Sequence, residues 1–288
     1  MLIHHIYAKN NFHSLLFRHY FCTFIILLLS LPGLAKATEN LPKWEVGVAL
    51  GAISLPQYMG SNERYQLALP LPYFVYRGDR VNVDRGGIRA EILGLKRLTL
   101  DASFGGGLSV RNNNRARAGM PELKFSFQFG PRLNWQIMES DTSGIRFRLP
   151  WRWSIDTRGQ SLGWLSEPEL QWQLNPDANT QYRIGLGALY TSEKFNRTYY
   201  GVAPQYATAT RAAYQAKGGL HSMFVSVSVS HRWSDRVTVF ASTRYRNLST
   251  GVVANSPLVK DKNYLTAVVG VSYSIWQSEK KVSNDIAD

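Results

Sequence analysis

Beyond residue 37 the chain holds only two histidines, His221 and His231, and a hydrolase that needs a base beside its nucleophile would have to use one of them. They stand ten positions apart in a segment that alternates apolar and polar residues, so on one strand they are roughly 33 Å apart at about 3.3 Å per residue. They cannot share a site. Both have the parity of Val225, Val227 and Val229, which places them at the two interfaces flanking a lipid-facing band rather than inside a lumen. No cluster of His, Asp or Glu has metal-ligand spacing. Gly105, Gly106 and Gly107 fall within a strand pattern with no helix after them, so they are not a phosphate loop. The expectation is a protein with no catalytic centre, no metal and no cofactor.

What chemistry remains is ionic. Lys124, Arg132, Arg146, Arg148, Arg152, Arg183, Arg244 and Arg246 share the polar parity of their segments, against Asp101, Glu122, Asp156, Glu167 and Glu169. Arg132, Arg146, Arg148, Arg152, Glu167, Glu169, Arg183, Arg244 and Arg246 form the candidate cluster. If these side chains point into a lumen, the basic excess suits an anion-preferring pore or ligand pocket, because rings of Arg and Lys select anions. The competing reading is a lumen closed by salt-bridged side chains, favoured because a barrel of this size is near the lower limit for an aqueous channel. A connection at 158–161 sets Arg152 near Glu167 on the inward face, with Glu169 one diagonal away.

The elements that would position these residues are long alternating strands. Leu123, Phe125, Phe127, Phe129, Leu133, Trp135 and Ile137 alternate with polar residues, as do Ile145, Phe147, Leu149, Trp151, Trp153 and Ile155. A soluble sandwich also alternates, but with strands of about five or six residues; these run to a dozen. A transmembrane strand needs about 9 to 11 residues, and in lipid only a closed sheet satisfies every backbone group. The fold class is therefore all-β, a closed antiparallel transmembrane β-barrel. Candidate strands are 43–53, 66–76, 80–92, 97–110, 122–138, 144–157, 162–174, 180–192, 221–233, 236–248 and 264–276. Bacterial single-chain barrels have even strand numbers. The short-inner, long-outer rhythm of connections breaks only before residue 97, where apolar parity also slips across Arg85-Gly86-Gly87. About twelve strands follow, with ten as the alternative. Trp44, Tyr73, Trp135, Trp172, Tyr190, Trp233 and Tyr245, at segment ends, fit the interfacial girdles. The 28-residue connection 193–220 is expected outside the cell.

Composition agrees. The 288 residues contain 8 Trp, 15 Tyr and 23 Gly, which excludes low-complexity disorder. No apolar run reaches the roughly 18 to 20 residues of a membrane-spanning helix. Residues 1–37 read as a secretory signal peptide: Lys9 and Arg18, an apolar run from Phe21 to Leu31, Pro32-Gly33, then Ala35-Lys36-Ala37. The barrel then occupies 38–276 and a charged tail 277–288. The only cysteine, Cys22, lies in the leader, so no disulfide stabilises the rest. With 33 Lys and Arg against 20 Asp and Glu the formal charge is +13. Losing Lys9, Arg18 and Lys36 leaves 30 − 20, or +10. That charge suits outer-membrane lipid and lipopolysaccharide phosphates; no nucleic-acid partner is expected.

Asn196-Arg197-Thr198-Tyr199-Tyr200-Gly201-Val202-Ala203-Pro204-Gln205 and Tyr214-Gln215-Ala216-Lys217-Gly218-Gly219 resemble the long-loop signature of the MipA/OmpV family of outer-membrane proteins. Val253 to Val259, with Ser256-Pro257, resembles the family's last outer loop, and Gly270 to Ile275 its closing strand. Pro56 to Ser61 with Leu69-Pro70-Leu71-Pro72 resembles its first hairpin. The ending departs from the family: Ile275 and Trp276 are followed by a charged tail instead of a closing aromatic. The resemblance implies a Gram-negative outer-membrane protein, non-enzymatic, that acts in peptidoglycan biosynthesis as a scaffold between a lytic transglycosylase and a penicillin-binding protein. The inner turns 139–143, 175–179 and 234–235 and the tail would have to carry such partners. The alternative class is a small anion-preferring pore or an outer-membrane ligand-binding or adhesion protein.

Overall fold

The computed structural model describes residues 41–78, 81–84, 87–95 and 97–282; the expected signal peptide, 1–37, and the end of the charged tail lie outside them. Among the described residues the wall strands are β1 (Trp44–Pro56), β2 (Arg64–Arg77), β3 (Val81–Asp84), β4 (Gly87–Leu95), β5 (Leu98–Gly107), β6 (Ser126–Glu139) and β7 (Ser143–Asp156). They continue with β8 in two pieces (Ser161–Ser166 and Glu169–Leu174), β9 (Thr180–Thr191), β10 (Gly219–Arg232), β11 (Val237–Asn247) and β12 (Asn263–Gln277). Each pairs antiparallel with its sequence neighbours, and β12 pairs back onto β1 over Ala267↔Ser54 to Gln277↔Glu45. Both pieces of β8 bond to β7 and to β9, so the ring closes. This is a closed antiparallel β-barrel, the form that leaves backbone groups satisfied in hydrocarbon.

Thirteen hydrogen-bonded segments thus make twelve strands, two being halves of one. The expected strand 80–92 is two: Val81↔Ala90 to Asp84↔Gly87 is an antiparallel hairpin, which is what the parity slip required. The expected strand 162–174 is interrupted because Pro168 has no N–H to give the ladder, and Glu167 is left in neither half. The last strand runs to Gln277, and the tail does not simply trail away: Lys281 and Val282 pair with Pro42 and Leu41.

One end carries the long connections, 108–125, 192–218 and 248–262, together with 57–63; the other has connections of two to five residues. The long end is the outer one by the rule for such barrels. The longest connection is not featureless, since Glu193–Tyr200 form a helix, α1. Ser192 caps it by accepting from Phe195 N at 3.2 Å, and Glu193 lies in its first turn.

The apolar core sits at this outer end. Tyr58, Val110, Leu123, Phe195, Tyr199, Tyr200, Leu248 and Val253, from four connections, pack with Leu162, Leu165 and Leu189 of the wall. The lipid face shows the opposite exposure: Val48, Leu50, Phe127, Phe129, Leu186, Val225 and Tyr273 all remain uncovered, as membrane contact requires. Of the seven aromatics expected in the girdles, six are exposed; Tyr73 is buried, facing the lumen, where its hydroxyl donates to Glu45 Oε2 at 3.1 Å.

Candidate functional site

Two layers of side chains occupy the outer and middle lumen. In the middle, three arginines from two walls converge on the carboxylate freed by the β8 break. Glu167 takes Arg244 Nη1 at 2.7 Å and Arg246 Nη2 at 2.8 Å on Oε1, and Arg152 Nη2 at 3.3 Å on Oε2. Glu169 lies within 3.8 Å of Arg148 and 4.0 Å of Arg244, and accepts from Ser226 and Gln171. Phe224 underlies the layer, with Arg244 4.3 Å and Arg246 4.9 Å from its ring centre.

Arg148, Arg152, Glu167, Glu169, Arg244 and Arg246 are therefore brought together. The other expected members are not in this knot. Arg132 is buried in a two-point pair with Asp101, at 2.9 and 2.7 Å. Arg146 bonds Gln136 at 2.7 Å and Arg183 bonds Gln173 at 3.4 Å, both nearer the inner end. Glu122 and Lys124 precede β6 and pair with each other at 2.7 Å in the outer connection; that bond holds the Glu122 carboxyl below the usual carboxylate range. The observed register sets Arg152 opposite Leu165, two residues from the expected partner but on the same face, and Glu167 reaches it from the break.

The second layer is a cap of loops, and the residues of the loop signature build it. Tyr200 is fully buried: its hydroxyl lies 2.8 Å from His221 Nε2 and donates to Met59 O at 3.0 Å, while its carbonyl accepts from Ser256 Oγ at 2.7 Å. Val202 and Tyr214 exchange backbone bonds of 2.9 Å, and Tyr214 donates to Val252 O. Arg117 bonds Tyr199 O. Gly219 has φ of +138°, a conformation side chains avoid, and a Cβ on Gly218 would meet the α1 backbone. Gly201, after α1, allows its close approach to Arg197 O. Pro257 lies in the turn between Ser256 and buried Leu258. Burial raises the Tyr58 phenol to about 12 and Tyr200 well above its usual value, and lowers Arg117.

His221 is thus not at a lipid interface. The β9–β10 register passes from Leu189↔Ser222 to Tyr190↔Leu220, so His221 is the extra residue of a bulge, and the bulge turns it from the lipid face inward. His231 is at the inner end, its Nδ1 2.9 Å from Thr180 Oγ1. The loop partners of the cap were not legible from parity. Asn114 and Arg117 belong to one short 3-10 turn and Arg211 to a loop, and no spacing announces that Arg211 will bond Ala116 O and Ala118 O from 95 and 93 residues away.

Below the arginine layer the lumen opens into a cavity of about 450 Å3, lined by Tyr73, Arg77, Asn179, Arg183, Ser228 and Arg232 among others. At its wall Glu45 pairs with Arg77 at 2.7 Å and Arg232 at 3.9 Å.

The chain is 24% identical over 261 residues to the outer-membrane protein YiaT of Escherichia coli strain K12, covering 86% of this chain and 97% of that protein. An 87-residue stretch is 33% identical to the outer-membrane protein Omp26La of Vibrio anguillarum, 30% of this chain and 33% of that one. Among solved structures, the COG4313 outer-membrane channel from Pseudomonas putida F1 aligns with a TM-score of 0.43 at 11% identity, over 84% of this chain and 98% of that one. The NanC porin aligns with a TM-score of 0.36 at 10% identity, over 80% and 100%. Residues 48–275 match the family described as MltA-interacting protein MipA, and the chain belongs to that family of outer-membrane proteins.

Proposed function

We propose that this barrel is a non-enzymatic scaffold of the outer membrane that holds murein-processing enzymes at its periplasmic end, a lytic transglycosylase of the MltA kind on one side and a penicillin-binding protein on the other. The observation that carries the reading is a lumen obstructed twice, by the loop cap and by the arginines around Glu167, which leaves the inner end as the part available for work. The family description supports the partner class. The contact surface is the inner turns 140–142, 175–179 and 233–236 with the paired termini Leu41–Pro42 and Lys281–Val282. A photoreactive residue at Ala178 or Asp141 in intact cells should capture a transglycosylase or a murein synthase, whereas one at Thr208 in the outer loop should capture neither. Absence of both enzymes from the inner-turn adducts rejects the scaffold.

A second reading, an anion-preferring pore, draws on the basic lumen, in which Arg148, Arg152, Arg244 and Arg246 face two carboxylates. Stable conductance in planar bilayers would put the pore ahead.

A further inference from the structure

Among the described residues, two strand edges in one sector of the wall have no ladder between them along most of their length. β2 pairs with β1 from Arg64 to Tyr76, but bonds to β3 only from Tyr76 to Gly78, because β3 has four residues. Beyond that short hairpin, β5 pairs with β4 only up to Asp101, so among the described residues Ala102 to Gly107 have no partner on that edge. Hydrogen-bond parity tells which atoms face the gap. Arg77 N donates to Lys43 O on the β1 side and Gly78 N to Val81 O on the other, so the even residues of β2 direct their backbone into the gap. Gln136 N donates to Arg97 O, which turns the odd residues of β5 toward β6 and the even ones, Phe104 included, toward the gap.

Open edges are not tolerated in hydrocarbon, and these rims are blunted in a particular way. Pro70 and Pro72 are even residues of β2, so two adjacent positions aimed at the gap carry no N–H and interrupt this edge as a template for an added strand. The Phe104 carbonyl on the opposite rim lies 3.4 Å from Arg152 Nη1. Gly105 makes room for that guanidinium, since a Cβ there would lie 2.7 Å from Nη1. Above, Tyr65 OH donates to Ser109 O at 2.7 Å and closes the gap at the outer end.

The luminal side of β2 in this sector is apolar, the reverse of the usual barrel pattern. Leu67, Leu69 and Leu71 have the parity of Tyr73, Val75 and Arg77, which line the lumen, and they pair across the strand with Ile53, Gly51 and Ala49. They are 37%, 47% and 51% exposed although they point inward. We propose that the gap is a side port that admits one acyl chain of an anionic phospholipid from the bilayer, the chain running down Leu67, Leu69 and Leu71 and the phosphate meeting Arg152. The strip spans about 13 Å at 3.3 Å per residue, so it lies along part of one chain. The charge fits, because Arg148, Arg152, Arg244 and Arg246 share the two carboxylates of Glu167 and Glu169 and, among the described residues, the buried Nε of Arg152 has no acceptor. The prolines argue against a partner's strand as the occupant. This inference does not depend on the scaffold reading.

The test is photocrosslinking with p-benzoylphenylalanine at Leu69 in the full-length folded barrel, reconstituted in mixed phosphatidylglycerol and phosphatidylcholine vesicles, with adducts identified by mass. Leu50, on the lipid face, supplies the bulk-lipid reference, and Ser242, on the cavity wall, the luminal control. The expected result is a lipid adduct at Leu69 enriched several-fold in phosphatidylglycerol over the ratio at Leu50, with none at Ser242. The Arg152→Gln variant should lose the enrichment and keep the Leu50 adduct. If that variant does not fold, the headgroup ratio in the unaltered Arg152 background decides alone. No adduct at Leu69, a headgroup ratio equal to that at Leu50, or lipopolysaccharide in place of phospholipid in adducts taken from cells would each overturn the port.

Discussion

The outer and inner halves of the lumen are built on different principles. The outer half is filled by side chains that behave as the core of a water-soluble domain: Phe195, Tyr200, Leu248 and Leu258 are at most 2% exposed. The inner half keeps a cavity of about 450 Å3 that its short connections line but do not fill. A membrane wall cannot bury its own apolar face except against lipid, so a conventional core arises only where loops are long enough to meet one another. The arginine layer around Glu167 is the boundary between the two.

That contrast can be broken most severely at the boundary itself. Glu167→Gln leaves Arg152, Arg244 and Arg246 without a full counter-charge, and a buried charge deprived of its partner typically costs about 3 to 5 kcal/mol. Urea unfolding in micelles should show that loss, and a midpoint within error of the parent would mean the layer is not structural.

The next largest effect is alkaline and belongs to the cap. Burial raises the Tyr58 phenol from 10.0 to about 12, so the folded cap binds a proton that the unfolded chain releases. Stability from this group is complete below pH 10 and is lost as the pH rises to about 12, by up to about 3 kcal/mol. Tyr58→Phe should flatten that part of the profile, and an unchanged slope would assign it to another group.

Tyr200→Phe should cost less, about 1 to 2 kcal/mol, by stranding His221 Nε2 and Met59 O. The readout is again the unfolding midpoint, with cap opening seen as faster proteolysis at 203–213. Smallest is Asp177→Ala in an inner turn, where the carboxylate accepts from Asn179 N and Thr180 N near solvent. About 1 kcal/mol or less is expected. A cost equal to that of Tyr200→Phe would erase the distinction between the two ends.

Much of this was written in the residues. The alternation of Phe125, Phe127 and Phe129 with Lys124, Ser126 and Gln128 is a local property of consecutive positions, so it determined the wall, its two faces and its home in a membrane before any contact was known. The slip from Val81 and Val83 to Ile88 and Ala90 marked the extra hairpin for the same reason. Tertiary structure decided what parity cannot carry. One added residue at the β9–β10 bulge turned His221 from lipid to cap, Pro168 released Glu167 from its strand into reach of three arginines, and loops 90 or more residues apart met over the barrel mouth. Each depends on which strands become neighbours and where a ladder is interrupted, and those are properties of the closed ring rather than of any segment within it.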